Sequence, residues 1–197
     1  MERALLLFIR NPVRGKVKTR LAAGVGEDQA LAIYLRLLEH ARQTALAVDC
    51  HRFLFYSDSV DRSDSFDNQD FRKYSQCGGD LGTRMDYAFS LPFKMGGYKQ
   101  VLIIGSDCPG LTPAIVEEGF EALKSHDFVL GPSVDGGYYL LGMTRWQRSL
   151  FENKRWSSDS VLADTRNDIE SGGGRLHLLP ELRDVDTVSD WEAAGRP

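Results

Sequence analysis

Aspartate residues at two places in the sequence could bind a divalent cation. Asp107 closely follows the apolar run at 101–104, and Asp184 and Asp186 stand two apart near the C-terminus. A run of branched apolar residues predicts a buried strand, and open α/β sheets bind ligands at the carboxyl ends of such strands. Carboxylate oxygens are ligands that Mg²⁺ and Mn²⁺ prefer. Asp107 with one of the other two could therefore hold a metal ion, although Asp107 could instead form a turn before Pro109.

A cationic segment near the N-terminus could bind phosphate groups. Residues 10–20 carry five cations in eleven positions and follow the first apolar run, residues 4–9. Guanidinium, ammonium and backbone N–H groups together can wrap a diphosphate. The segment has neither the P-loop spacing nor the dinucleotide-binding glycine spacing. A solvated charged turn is the alternative, but the position after the first strand favours phosphate binding.

Two glycine-bearing segments could contact other parts of the same ligand. In residues 76–85, Asp80 and Gly82 stand where a helix should start. The glycines could admit a base or ribose to the backbone, or Asp80 could simply cap the helix. In residues 131–139, Asp135 precedes two glycines and two tyrosines, a set that could contact a sugar or another acceptor. Asp135 could also be a general base, and the alternative is a tight connection whose tyrosines enter the core.

The elements that must position these residues alternate between strand and helix. Apolar periodicity and turn residues predict strands at residues 4–9, 51–56, 71–75, 100–105, 127–131, 137–143 and 175–179. The predicted helices are at 27–47, 80–93, from 112, at 157–171 and from 187. This alternation is typical of a mainly parallel, doubly wound sheet, and an antiparallel late strand pair would make the sheet mixed. We therefore expect one α/β domain over residues 1–197, with helices on both faces of the sheet.

Composition limits the classes of function. The chain has 197 residues, with 24 Lys and Arg against 28 Asp and Glu, for a formal net charge of −4. Without a global positive field, any anion site must be local, and no nucleic-acid partner is expected. No apolar run is long enough for a membrane span or a signal peptide. The three cysteines show no metal-binding spacing, which fits a reducing cytoplasm.

Six segments, in order from residue 4 to about 192, resemble one bacterial family. They are Phe8-x-x-x-Pro12-x-x-Gly15-x-Val-Lys18-Thr-Arg20-Leu, Gly79-Asp80-Leu-Gly82-x-Arg84-Met, Ile104-Gly-Ser-Asp107-Cys-Pro, Gly131-Pro-x-x-Asp135-Gly-Gly-Tyr-Tyr, Trp156-Ser and Leu182-Arg-Asp184-Val-Asp186-Thr. In these six segments the chain resembles small glycosyltransferase-like proteins with the GT-A fold, which is also called the nucleotide-diphospho-sugar transferase fold. Some members of that family are assigned to arsenosugar pathways.

The resemblance implies roles for individual positions. The residues that it places against the nucleotide and its phosphates are Arg14, Gly15, Lys18, Arg20, Asp80, Gly82 and Arg84. In the wider superfamily, which includes molybdopterin and phospholactate guanylyltransferases, the aspartate matching Asp107 binds the metal. A late Asp or Asn, matched best by Asp186, often completes that site. The chain departs from the family at Arg10-Asn11, where relatives commonly have Lys-Ala, and the positive charge is kept.

We therefore predict a cytoplasmic, metal-dependent transferase that moves a glycosyl group from a nucleoside diphosphate sugar to a small acceptor. Asp107 and Asp186 would bind Mg²⁺ or Mn²⁺, and Asp107 and Asp135 are the candidate catalytic residues. The Asp-x-Asp triplet common in glycosyltransferases is absent around Asp107, which counts towards a nucleotidyltransferase that uses a nucleoside triphosphate and releases pyrophosphate. A non-catalytic nucleotide-binding module is the third possibility.

Overall fold

The computed structural model describes residues 2–195. The strands are β1 (Arg3–Ile9), β2 (His51–Tyr56), β3 (Phe71–Ser75), β4 (Gln100–Ile104), β5 (Phe128–Pro132), β6 (Tyr138–Met143) and β7 (Leu176–Leu178). The α-helices are α1 (Thr19–Val25), α2 (Glu27–Leu46), α3 (Leu81–Met95), α4 (Pro113–Ala122), α5 (Val161–Ser171) and α6 (Val188–Ala193). A short 3₁₀ helix, Arg148–Phe151, precedes α5. Within the described residues, no helix is both long and apolar enough to cross a membrane.

The strands form one mixed sheet in the order β3-β2-β1-β4-β6-β5-β7. β1 lies near its middle and pairs in parallel with both β2 and β4. β6 runs antiparallel to its neighbours β4 and β5, whereas β7 is parallel to β5. The predicted α/β class and the mostly parallel, mixed sheet are therefore confirmed.

Helices cover both faces of the sheet, which explains why its central strands are apolar at successive positions. Leu5 and Leu7 of β1 belong to a core cluster with α2 and α4. Ala4 and Leu6 point to the other face, where they belong to a cluster with α3 and α5. Each cluster thus uses alternate residues of the same strand, as the pleat requires. Because the helices pack on the two faces of the sheet, the carboxyl ends of β1 and β4 stay open at one edge.

A third, smaller cluster fixes the C-terminal segment against the N-terminal half of the chain. Leu21 of α1 and Ile33 and Leu37 of α2 pack with Val185 and with Trp191 of α6. Thr187 caps α6 through a reciprocal capping box with Asp190, at the residue where the sequence predicts a helix to begin. This packing brings residues 184–186 to the open edge of the sheet.

The structure differs from the prediction at two places that border this edge. Helix α1 was not predicted and begins inside the segment 10–20; it gives little signal in the sequence, because it is only seven residues long and its N-cap, Lys18, makes no side-chain capping bond. Helix α5 begins at Val161 rather than at Ser157, because Ser157 adopts φ 62°, a left-handed conformation that a helix cannot continue through. Residues 157–160 are therefore turns.

Candidate active site

A cleft of about 570 Å³ opens at the carboxyl ends of β1 and β4. The loop between β1 and α1, the β4–α4 connection, the β5–β6 turn and the segment before α5 contribute its walls. The segment before α6 completes it. Five of the predicted site residues line this cleft: Lys18, Arg20, Asp107, Asp135 and Asp186.

Lys18 joins the β1–α1 loop to both predicted metal-binding carboxylates. Its Nζ lies 2.9 Å from Oδ2 of Asp107 and 3.1 Å from Oδ1 of Asp186. The side chain is only 4% exposed. Burial alone would lower the pKa of this amine, but the two carboxylates outweigh that effect and the pKa is raised. The fold alone thus brings this charged ammonium to two acidic side chains that are distant along the chain, Asp186 being 168 positions away.

Backbone pairing explains how Asp186 reaches this place. The N–H of Val185 donates to the carbonyl oxygen of Asp107 at 2.9 Å. Val185 is fully buried, so its two flanking aspartates are directed towards the cleft, as the alternation of an extended segment requires. Asp186 meets Lys18, while Oδ2 of Asp184 accepts a hydrogen bond from Oγ of Ser133 at 3.1 Å.

Asp184 is the carboxyl group with the most perturbed acidity in the cleft. Burial is the main cause, and the carboxylates of Asp107 and Asp135 add to it, so that its pKa rises to about 6. The hydrogen bond from Ser133 and the charge of Lys18 act in the opposite direction but are weaker. Asp184 can therefore gain or lose a proton close to neutral pH. The sequence suggested Asp184 only as an alternative to Asp186, because spacing does not reveal which side chain is desolvated.

Tyr34 is a site residue that sequence reasoning missed. Its hydroxyl accepts from the N–H of Arg10 at 2.8 Å and donates to the carbonyl oxygen of Arg10 at 3.0 Å. Ser106 lies next to it, and Oγ of Ser106 donates to Oδ1 of Asp107 at 3.2 Å. Burial, reinforced by the charge of Asp107, raises the pKa of the Tyr34 phenol. In the sequence Tyr34 fits the apolar face of α2, so nothing there distinguishes its hydroxyl from a core position.

The cationic segment divides into two parts. Arg10, Lys16 and Arg20 line the cleft together with Lys18. Arg14 lies elsewhere, since its guanidinium pairs with Glu27 at 2.8 Å and with Asp28 at 2.6 Å.

Gly15 lies beside the same turn of α2. It has φ +74°, and a Cβ there would lie 3.2 Å from Oε1 of Glu27. Arg14 thus holds the loop against the start of α2, and Gly15 leaves room for the side chain of Glu27. Their contact with phosphates stays a prediction.

The segment around Asp80 forms the start of α3 and supports the cleft from outside. Oδ1 of Asp80 accepts from the backbone N–H and from Oγ1 of Thr83, at 2.8 and 2.7 Å, as an N-cap does. Arg84 donates from Nε to a carbonyl oxygen of the same turn. A Cβ at Gly82 would lie 2.3 Å from Nε1 of Trp156, so the glycine allows the indole to pack closely. The nucleotide contacts of Asp80, Gly82 and Arg84 stay predictions.

The turns before α5 form another wall of the cleft. Gly136 makes this possible, because a Cβ there would lie 2.2 Å from the carbonyl oxygen of Asp159. The N–H of Leu162 donates to the carbonyl oxygen of Gly136 at 2.9 Å and fixes the contact. The exposed Asp135 and the half-buried Tyr138 complete the wall. Its other lining residues are Trp156, Ser157, Ser158 and Asp159.

The donor chemistry of Asp107 and Asp186 fits a hard divalent cation. Among residues 2–195, no group of three or more His, Cys, Asp and Glu side chains is placed to hold a metal ion. Mg²⁺ usually takes only one or two carboxylates and completes its coordination with water and phosphate oxygens. The side chains of Asp107 and Asp186 are 42% and 48% exposed, so both present oxygens to the cleft. The pair therefore suits a cation that shares a phosphorylated ligand.

Comparison with known proteins relates the chain to a bacterial family and to a solved structure of similar sequence. The profile of a family described as an uncharacterized protein conserved in bacteria (DUF2064) matches residues 40–158. A crystal structure from Desulfovibrio desulfuricans G20, of a protein provisionally assigned as a nucleotide-diphospho-sugar transferase, superposes with a TM-score of 0.90. The two sequences are 30% identical, and the match covers 98% of this chain and 85% of that one. No curated protein sequence matches the chain significantly.

More distant structures share the fold alone. The inositol-1-phosphate CTP transferase from T. maritima gives a TM-score of 0.62 at 14% identity, covering 100% of this chain and 96% of that one. Rv0371C from Mycobacterium tuberculosis H37Rv, in complex with manganese, gives 0.61 at 14% identity, covering 100% and 98%. Both comparisons extend over the whole sheet and its helices.

Proposed function

Since the chain belongs to the bacterial family DUF2064, we propose that it transfers a glycosyl group from a nucleoside diphosphate sugar to a small acceptor, with Mg²⁺ or Mn²⁺ as cofactor. Its fold is that of nucleotide-binding transferases, as the relative from D. desulfuricans indicates. The observation that carries the proposal is the ammonium of Lys18 between Asp107 and Asp186, in a cleft with three further cations. That arrangement suits a phosphorylated ligand bound together with a metal ion.

The cationic side of the cleft would bind the diphosphate of the donor. Arg10 and Arg20 offer planar guanidinium groups that can donate two parallel hydrogen bonds to phosphate oxygens. Lys16 and Lys18 add ammonium charges from the same loop. Since the chain as a whole is acidic, this local positive charge is what would attract an anionic ligand.

Asp107 and Asp186 would hold the metal ion. When bound, it would neutralise charge that develops on the diphosphate as the glycosyl bond breaks. The manganese complex of a fold neighbour supports a divalent cation in proteins of this architecture. The roles of the two aspartates are proposals that rest on their chemistry and on their shared contact with Lys18.

Proton transfer from the acceptor would fall to a carboxylate that lines the cleft. In the reaction, the bond from the anomeric carbon to the phosphate oxygen breaks, a bond to the acceptor oxygen forms, and the acceptor hydroxyl loses its proton. Asp135 is exposed in the cleft, where a carboxylate could accept that proton as a general base. Asp184, with a pKa of about 6, is a second candidate for this step.

Charge in the cleft favours an acceptor without a phosphate group. All cations among the described lining residues come from residues 10–20. The wall formed by the β5–β6 turn and the segment before α5 carries Asp135 and Asp159 beside Trp156 and two serines, and it contributes no cation to the described lining. A sugar phosphate, the acceptor that a nucleotidyltransferase would use, would meet repulsion on that wall. This observation supports glycosyl transfer.

Nucleotidyl transfer is the second candidate. It is favoured by the sequence Ser106-Asp107-Cys108, which lacks the Asp-x-Asp triplet, and by the fold shared with the CTP transferase from T. maritima. The released product separates the two reactions. A nucleoside diphosphate would support glycosyl transfer, and pyrophosphate would support nucleotidyl transfer.

Thermal melting against a nucleotide panel tests the proposal directly. Nucleoside diphosphates, triphosphates and diphosphate sugars are each added with Mg²⁺, with Mn²⁺ or with EDTA. A ligand at about a hundred times its dissociation constant adds roughly 2.7 kcal/mol of stability. We expect one nucleoside diphosphate and its sugar ester to stabilise the protein much more with metal than in EDTA. Stabilisation without any turnover on varied acceptors would favour a non-catalytic binding module instead.

The cytoplasm is the proposed location. Cys50, Cys77 and Cys108 are all free thiols, as is usual for proteins of reducing compartments.

Burial raises the pKa of the Cys108 thiol to about 12, and the nearby Asp184 adds to this. Although Cys108 follows Asp107 directly, it is therefore a poor nucleophile.

A further inference from the structure

We propose that Lys18 is a positioning residue that keeps a divalent cation out of the site until the phosphates of a nucleotide arrive, an inference that rests on the proposed function. The Lys18 ammonium contacts one oxygen of each proposed metal ligand, at 2.9 Å from Asp107 and 3.1 Å from Asp186. A divalent cation held by these two side chains would need the same carboxylates. The ammonium and the metal ion are therefore competitors for one place.

Burial strengthens this competition. The Lys18 side chain is only 4% exposed, although both carboxylates are partly exposed. Repulsion between the ammonium and an incoming cation is therefore screened weakly by water on the lysine side. The αL conformation of Lys18, φ 48° and ψ 46°, directs the side chain from the start of α1. The bond from the Val185 N–H to the Asp107 carbonyl oxygen holds the facing segments together.

Phosphate groups would remove the competition. Arg10, Lys16 and Arg20 line the same cleft and would draw a diphosphate towards Lys18. An ammonium on a flexible four-carbon stem can exchange a carboxylate partner for a phosphate oxygen through side-chain rotation. The oxygens of Asp107 and Asp186 then become available to a cation that also contacts the phosphates. Metal would thus bind with the nucleotide, or after it, but weakly before it.

Removing the charge of Lys18 should change two affinities in opposite directions. In Lys18→Met, which keeps a similar length, Mn²⁺ without nucleotide should bind at least about tenfold more tightly than in the wild-type protein, because a like charge is gone. The nucleoside diphosphate that binds best should bind more weakly to the variant in EDTA, because a phosphate partner is lost. A merely structural role for Lys18 would weaken both interactions.

The experiment is a titration of the full chain with Mn²⁺ alone. Binding is measured by calorimetry and by the electron paramagnetic resonance signal of free Mn²⁺. Lys18→Arg keeps the charge and should resemble wild type. Lys16→Met removes one charge from the same loop and is the matched control, since Lys16 has no carboxylate partner within residues 2–195. Circular dichroism checks folding, and Lys18→Gln replaces Lys18→Met if the latter does not fold.

The outcomes separate this inference from the proposed function. A gain in Mn²⁺ affinity confined to Lys18→Met or Lys18→Gln supports it, even if no nucleotide turns over. Equal Mn²⁺ affinity in wild type and in the neutral variants overturns it, whatever the nucleotide panel shows. The same gain in Lys16→Met would also overturn it, because the effect would then come from net charge alone.

Discussion

At the scale of single residues, the cleft gathers acidic side chains whose environments differ. Asp107 and Asp186 share the ammonium of Lys18, whereas Asp184 is held by the hydroxyl of Ser133. Asp135 is exposed and accepts from the N–H of Gly137 at 3.0 Å. One type of side chain can therefore serve for metal binding, for proton transfer and for turn formation, because charge partners and burial set its chemistry.

Asp107→Asn should abolish the part of nucleotide stabilisation that depends on metal. The amide keeps the shape of the side chain but removes the negative charge that a divalent cation requires. We expect the melting temperature with nucleotide to become independent of Mn²⁺, while the metal-free variant stays folded. Asp49→Asn, an exposed position just before β2 at the opposite edge of the sheet, is the matched control. Unchanged metal dependence in Asp107→Asn would mean that the metal site lies elsewhere.

Asp184 should make stability depend on pH in a definite direction. Its pKa is raised to about 6 from an ordinary value of 3.8, so the folded protein holds a proton that the unfolded chain has already lost. Stability therefore falls as pH rises through this window, and the loss is complete above the folded pKa. Asp184→Asn should lack this loss and be more stable than wild type at pH 7 by about 1–2 kcal/mol, since partial exposure reduces the full effect.

Urea unfolding in EDTA at several pH values between 4 and 7 measures this difference. EDTA is needed because a bound metal ion would change the charge around the carboxylates. The gap between Asp184→Asn and wild type should open as pH rises. A constant gap would show that Asp184 does not titrate as the burial and the neighbouring carboxylates indicate.

At the scale of elements, two glycines allow the segments that form the cleft to pack closely against each other. Gly136 admits the backbone of Asp159, and Gly82 admits the indole of Trp156. The sequence identified both glycines as parts of motifs, but for contact with a ligand. The structure adds a packing role that local sequence cannot reveal, because the partner residues are distant along the chain.

Gly82→Ala should therefore destabilise the protein by about 1–3 kcal/mol, a typical cost of overpacking. Its Cβ would lie 2.3 Å from the Trp156 ring and 2.6 Å from the carbonyl oxygen of Phe151, so backbone as well as side chain must move. Gly78→Ala is the control, since a Cβ there would have no neighbour within 4 Å. Chemical denaturation of both variants measures the difference. Equal stability of the two would contradict close packing of Trp156 on α3.

Element prediction succeeded where a local signal exists. Thr112 was expected to open α4, and its side chain accepts from the N–H of Ile115 as an N-cap. The boundaries of β2 and β3 also match the structure. Element prediction failed for α1 and for the start of α5, where Lys18 and Ser157 adopt the left-handed conformation just before or within the connecting turn. A positive φ at a residue other than glycine is imposed by its surroundings, so sequence patterns do not predict it.

At the scale of the whole molecule, one continuous sheet connects the N-terminal and C-terminal halves. β5, β6 and β7 extend the sheet beyond β4, and the cluster around Val185 and Trp191 ties the last helix to α1 and α2. The organisation of residues 1–197 as a single domain stays a prediction. Unfolding one half would expose the apolar surface of the other.

Thermal unfolding should accordingly be one cooperative transition. Far-ultraviolet circular dichroism reports the helices, and tryptophan fluorescence reports Trp146, Trp156 and Trp191 in the C-terminal third. We expect the two transitions to coincide and the calorimetric and van't Hoff enthalpies to agree. Two separate transitions would divide the chain and contradict the single-domain prediction.

The sequence by itself determined the fold class, the number and order of the strands and the types of residue available for chemistry. Apolar runs and caps are local signals, so they could be recognised before any partner was known. Tertiary structure alone decided that Lys18 meets Asp107 and Asp186, that Arg14 turns to α2, and that Asp184 is desolvated. These features depend on distances and burial between distant segments, which become defined only when the chain packs.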